Sequence, residues 1–124
     1  MKKIETTNAP KAIGPYSQAI SANGLLFVSG QIPVDPKTND IVSGGIEEQA
    51  NQSFKNVGEI LKAAGLDYSN VIKTTVFVKD LKDFAKVNEI YSKYFISSPA
   101  RSCVEVRALP KGVLIETEAI AEEK

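Results

Sequence analysis

The segment 46–64 constrains this chain more than any other. Ile46, Ala50, Phe54, Val57, Leu61 and Ala64 recur at spacings of three and four, and Glu47, Glu48, Asn51, Gln52, Lys55, Glu59 and Lys62 fill the positions between. One apolar stripe on an otherwise polar cylinder predicts an amphipathic helix laid on a flat apolar surface. Gly65 follows where a helix commonly ends in the left-handed conformation. Gly58, inside the helix, costs about 1 kcal/mol relative to alanine; close packing against a sheet would explain it.

The flanking segments supply that sheet. Residues 16–21 and 25–29 read as two strands joined by Asn23-Gly24, a tight hairpin signal. Residues 1–15 read as an irregular arm with at most one short strand, and 30–45 as a long loop with two prolines. Residues 71–79, "VIKTTVFVK", are rich in β-branched side chains and read as a strand. Asp80 is placed to cap a second helix, with Asp83 in its first turn and Phe84, Val87, Tyr91 and Tyr94 as its stripe. Pro99 ends helical structure; "RSCVEVRAL" and residues 113–121 are two further strands. The order is β-β-α-β-α-β-β, an α/β (α+β) sheet with both helices on one face.

Alternation within two strands predicts more. In 71–79 one face carries Ile72, Val76 and Val78 and the other Val71 and Phe77; in 113–121 one face carries Val113, Ile115 and Ala119 and the other Leu114 and Ile120. Both sheet faces are partly apolar, as in sheets covered on both sides. Two helices cover one face, so the other is expected to meet another subunit.

Composition narrows the chemistry. The 124 residues suggest one domain over 1–124. Histidine is absent, which removes Ser-His-Asp and Cys-His nucleophile systems and the usual zinc sites. Proton chemistry must then come from Glu, Asp, Lys, Tyr or water. Lys+Arg and Asp+Glu are equal at 15 each, a balance that argues against nucleic acid as a partner. There is no leader-like segment and no long apolar run, so a cytoplasmic protein without a membrane partner is expected. One cysteine forms no intrachain disulfide, in keeping with a reducing compartment.

The stretch "PARSCVEV" holds the candidate chemistry. Alternation sets Ser102, Val104 and Val106 on one face, taken as core, and Arg101, Cys103 and Glu105 on the other, the expected interface. Arg101 there requires an anionic partner, either a side-chain carboxylate or a substrate's. Structural ion pairs outnumber functional ones, so spacing alone favours a salt bridge. Arg101 is also placed to lower the Cys103 thiol pKa. Glu116 and Glu118 share a face with Leu114 and Ile120, where a carboxylate is a general base of raised pKa, or a solvated edge group or a partner for Arg101; spacing alone favours the latter two.

"AIGPYSQAI", "VSGQIP", "IKTTVFVKDL", "FAKVNEIYSKYF" and "PARSCVEV…LP…IETEAIA" are together similar to the RidA (YjgF) family, in its order and spacing from about residue 5 to residue 121. The resemblance implies a chorismate-mutase-like fold and a homotrimer with a central barrel and intersubunit clefts. It implies a 2-iminobutanoate/2-iminopropanoate deaminase that hydrolyses enamine/imine intermediates to 2-oxo acids and ammonia, with no cofactor and no metal. It places Arg101 on the substrate carboxylate and Glu116 as the residue that activates water. It places the main chain of Cys103 and Gly30 against the substrate, Tyr16 and Ser29 along the pocket, and Asn88 near the cleft. Cys103 is then a backbone contact and no nucleophile. Thr117 stands where the family usually has an apolar residue and is expected to point toward the helices. Two alternatives remain: a non-enzymatic 2-oxo-acid binder or regulator, and an endoribonuclease or translation inhibitor. The zero net charge and missing histidine disfavour the second.

Overall fold

The computed structural model describes residues 1–124. Its strands are β1 (Lys2–Ile4), β2 (Ala19–Ala22), β3 (Leu25–Gln31), β4 (Val34–Asp35), β5 (Asp40–Ile41), β6 (Val71–Val78), β7 (Ala100–Glu105) and β8 (Ile115–Glu122); its helices are α1 (Ile46–Ala63) and α2 (Phe84–Tyr94). Six strands form one sheet in the order β1-β2-β3-β8-β6-β7, antiparallel throughout except for the parallel pair β6/β7. The predicted α+β order is present. The long loop contains a small addition that turn residues hid, the two-residue hairpin β4/β5.

The hairpin at Asn23-Gly24 forms with both residues in the left-handed region (φ 53° and 79°), as a two-residue turn that matches strand twist requires. The stripe on α1 is buried: Ala50, Phe54, Val57, Ile60 and Leu61 have no exposed surface. They pack against Leu26, Val28, Val76, Val78, Ile115, Ala119 and Ala121 of the sheet, and α2 adds Val87, Ile90 and Tyr91. The Glu48 carboxylate accepts from the Gly45 backbone N–H (2.9 Å), holding the start of α1. Asp80 caps a short 3₁₀ turn, accepting from Lys82 N–H, before α2 begins at Phe84. No helix is long and apolar enough to cross a membrane.

Several buried groups are polar and paired. Ser53 donates to the Gln31 carbonyl oxygen (2.8 Å) and lies 2.9 Å from Thr117 Oγ1. Thr117 therefore faces α1, as expected, and its neighbour Glu116 faces away. Asn56 bonds the carbonyls of Ile32 and Val34, fastening the hairpin loop to the helix. Every buried side-chain nitrogen or oxygen has a partner.

Three expectations are corrected. Gly58 packs against a ring and not against the sheet: a Cβ there would lie 2.1 Å from the Tyr68 hydroxyl, which donates to the Phe54 carbonyl. In β6 a register irregularity between Val71 and Lys73 inverts the start of the strand, so Val71 is buried and Ile72 exposed; one extra residue reverses all faces beyond it. In β7 the phase is opposite to that expected. Val104 is 42% exposed, whereas Cys103 packs on the core beneath α2. The parallel register sets this, since Arg101 pairs with Thr74 and Cys103 with Val76, both fully buried on the helix side.

The sheet face away from the helices carries Phe27, Phe77, Val104 and Ile120 among Lys73, Glu116 and Glu118. Phe27 is 43% exposed. An apolar patch on a sheet that no element of its own chain covers marks an interaction surface.

Gly58→Ala is expected to lower stability by about 1–3 kcal/mol, the usual cost of overpacking, outweighing the ~1 kcal/mol that alanine gains in helix propensity. Urea unfolding followed by circular dichroism reads the sign; a stabilised variant would remove the packing role given to Tyr68.

Candidate active site

Arg101 lies on β7, the edge strand, with its side chain turned under α2. Its Nη1 donates to Asn88 Oδ1 at 2.6 Å. Its guanidinium carbon lies over two rings, 4.8 Å from the Tyr91 centroid and 5.5 Å from that of Phe84. Residues 84, 88 and 91 are spaced by four and three, so they form one stripe of α2 facing the arginine. The expected salt bridge is not formed. The ion pairs of the chain are Lys62–Glu59, Lys82–Asp80 and Lys86–Glu89. Arg101 is thus held by a neutral amide and two π faces, and no side-chain carboxylate neutralises it. That arrangement leaves a fixed cation with in-plane N–H groups for an outside anion.

Cys103 sits two residues along the same face. Burial pushes its thiol pKa up, and the nearby Arg101 charge pulls it down less strongly. The expectation of a pKa lowered by Arg101 is therefore corrected: desolvation of the thiolate outweighs the charge. At ordinary pH this group is a thiol, a poor nucleophile.

Glu116 lies on the opposite face. Its strand β8 pairs with β3 through an irregularity between Val28 and Gln31, where Val28 faces Ala119 and Gln31 faces Thr117. Three steps on β3 thus match two on β8, so Ser29 and Gly30 bulge outward. The Glu116 carboxylate lies over Gly30, and a Cβ at that glycine would come within 2.2 Å of its Oε2. A side chain at position 30 would occupy the space the carboxylate fills. Burial pushes the Glu116 carboxyl pKa up, and the Glu118 charge adds to the rise. A carboxylate of raised pKa beside open backbone is suited to taking a proton from water.

The bulge also positions Ser29 and Tyr16. Ser29 donates from its hydroxyl to the Ser17 carbonyl (2.6 Å), and its N–H donates to Gln18. Gln18 in turn ties down the N-terminal arm through the carbonyls of Thr6 and Pro10. Tyr16 projects from this tied segment and is 54% exposed. Tyr16, Gly30, Lys11 and Lys111 border one groove of about 370 Å³.

The predicted residues thus fall into two groups within one chain. Asn88, Arg101 and Cys103 are on the helix side at the β7 edge. Glu116 and Gly30, with Ser29 and Tyr16 close by, are on the other side of the sheet. A single chain does not bring Arg101 and Glu116 to one substrate. Phe84 and Tyr91 were legible only as an apolar stripe; their contact with Arg101 had one sequence signal, the spacing that puts Asn88 between them. Thr74, bonded to Tyr91 Oη at 2.5 Å, had none.

A family model described as Endoribonuclease L-PSP matches residues 6–123. A RutC family protein of Pyrococcus horikoshii is 60% identical over 119 residues, 95% of this chain and 94% of that protein. The human 2-iminobutanoate/2-iminopropanoate deaminase is 56% identical over 119 residues, 95% of this chain and 87% of its own. Among solved structures, Escherichia coli TdcF with bound serine superposes with a TM-score of 0.95 at 48% identity, covering 100% of both chains. These likenesses run over nearly the whole chain, and the chain belongs to the Endoribonuclease L-PSP family, the RidA (YjgF) family of the sequence resemblance.

Proposed function

We propose that this protein hydrolyses 2-imino acids, 2-iminobutanoate and 2-iminopropanoate among them, to 2-oxo acids and ammonia. The human relative carries that activity in its name, and the E. coli relative was solved with bound serine, whose carboxylate and 2-amino nitrogen parallel an imino acid. The observation that carries the reading is Arg101: a guanidinium fixed by Asn88 and two rings and left without a carboxylate partner. A 2-imino acid supplies one.

The mechanism needs little beyond placement. Arg101 clamps the carboxylate and fixes the carbon of the protonated imine, C=NH2+. Glu116 removes a proton from water as the oxygen bonds to that carbon. The protonated Glu116 carboxyl group returns that proton to nitrogen, and the C–N bond breaks. The proton of the new hydroxyl leaves through the same carboxylate to the departing ammonia, giving the 2-oxo acid and ammonium. The raised pKa of Glu116 brings it nearer to the groups it serves, which favours both transfers. The main chain at Gly30 and Cys103 borders the substrate, with Tyr16 and Ser29 lining the pocket. Because Arg101 and Glu116 lie on opposite sheet faces, each site takes them from two chains. A homotrimer pairing the uncovered sheet faces accounts for both facts. Residues 1–124 act as one domain, without a cofactor, in the cytoplasm. A phosphodiester substrate fits less well, since equal numbers of acidic and basic residues supply no general attraction for a polyanion.

Imine hydrolysis is measured on 2-aminocrotonate formed in situ from threonine by a dehydratase. Arg101→Ala is expected to lower kcat/KM by the equivalent of about 2–5 kcal/mol, and Glu116→Gln to lower kcat by roughly 10²–10⁴-fold. Wild-type rates in both variants would discard the mechanism; an inert wild-type protein that still binds 2-oxo acids would leave a binder. In the wild type, kcat/KM is expected to rise with pH through a Glu116 titration above the ordinary glutamate value of 4.5. Folding disfavours the charged form of this group. Its stabilising contribution is therefore present below the unfolded pKa and lost as pH rises through the raised folded one. Glu116→Gln should accordingly gain thermal stability at pH 7 while losing turnover; an unchanged or lower Tm would contradict the desolvation assigned to Glu116. Arg101→Ala and Glu116→Gln chains, co-expressed with different tags and purified as mixed oligomers, should recover part of the activity. Inactive mixed oligomers would place both residues of a site in one chain.

A further inference from the structure

We infer that Tyr91, with Phe84, is a positioning residue: the two rings form a π platform that holds the Arg101 guanidinium aimed at the carboxylate of its ligand. The inference rests on Arg101 being the carboxylate anchor and adds what makes that anchor rigid.

Arg101 stands on an edge strand, where a long side chain has many rotamers and no ion pair to choose among them. An arginine that binds from such a state loses its freedom on binding, and affinity falls accordingly. Here the freedom is removed beforehand. The guanidinium carbon lies 4.8 Å from the Tyr91 centroid, within the range of a cation–π contact, and 5.5 Å from that of Phe84. Rings engage the flat faces of a guanidinium and leave its N–H groups, which lie in the plane, pointing outward. Asn88 takes one of these at Nη1, and the others remain for a bidentate carboxylate.

The Tyr91 ring is itself packed and hydrogen-bonded on several sides. It stacks on Phe95 with centroids 4.4 Å apart, meets Phe54 edge-on at 5.6 Å, and holds Thr74 through its hydroxyl at 2.5 Å. Thr74 is fully buried and is the register partner of Arg101 on the neighbouring strand. Backbone pairing and ring stacking thus fix the platform and the arginine against each other. Phe84 differs: it is 38% exposed, so it borders the open side of the guanidinium and contributes less to the core.

The test uses 2-oxobutanoate as ligand, with Kd measured by calorimetry and KM and kcat measured on the imine. Tyr91→Leu is expected to raise Kd and KM together by roughly tenfold, the scale of a desolvated cation–π contact, with a smaller change in kcat, because ground and transition states lose the same contact. Tyr91→Phe keeps the ring and should recover most of the affinity. Phe84→Leu should raise Kd by about threefold, the scale of an exposed contact. A purely structural role for the rings would lower Tm and leave Kd of the folded protein unchanged, and that result overturns the platform. So does a Tyr91→Phe variant as weak as Tyr91→Leu. If Tyr91→Leu does not fold, Phe84→Leu decides, and a wild-type Kd there counts against the platform. Arg101→Ala separates the two levels. Unchanged Kd in that variant removes the anchor and the platform together. Weakened binding there, with wild-type affinity in the ring variants, removes the platform alone.

Discussion

The parallel pairing of β7 with β6 is the constraint on which the site depends. Its register sets Arg101 opposite Thr74 and Cys103 opposite Val76. Both partners are buried under the helices, so the arginine and the cysteine point that way too. A shift of one residue would place Val104 beneath α2 and swing Arg101 to the far face. The register therefore decides whether a cation is present beneath Tyr91 at all. A parallel connection of this kind needs a crossover, and α2 provides it. The same helix that links the two strands brings Phe84, Asn88 and Tyr91 over the arginine.

The opposite side of the sheet follows a different rule. There the local device is a bulge. An extra residue in β3 turns Ser29 and Gly30 outward, and the missing side chain at Gly30 makes room for the Glu116 carboxylate. The glycine is explained by close approach and not by backbone angle. Glu116 accepts partial burial and the repulsion of Glu118, and both raise its pKa. Such a group is a poor contributor to stability and a good candidate base, a common trade at sites of chemistry. Cys103 illustrates the converse. It lies near a cation, which would activate it, but desolvation prevails.

Much of the fold was legible because its period was clear. The α1 stripe, the Asn23-Gly24 turn and the alternation of β8 each rest on local geometry that few tertiary effects override. Thr117 and Glu116 fell on the faces expected of them. The failures share one cause. Alternation gives the relative faces of neighbours within a strand but not which face is covered, nor where an extra residue breaks the phase. Hence the inverted reading of β7 and the exchange of Val71 with Ile72. Gly58 failed for a related reason: the sequence marks a close approach but not the atom approached, here the Tyr68 hydroxyl.

The sequence by itself determined the element order, the amphipathic helices, the absence of histidine chemistry and the motifs that carry the family resemblance. These depend on residue types and on spacings within a few turns of chain. Tertiary structure alone decided that Arg101 has an amide and two rings for partners in place of a carboxylate. It alone decided that Arg101 and Glu116 stand on opposite faces of one sheet. Those facts are set by strand register and by a bulge, which arise from pairing between segments distant in the chain. No local pattern encodes them, because the energy that selects a register is the burial of a whole face at once.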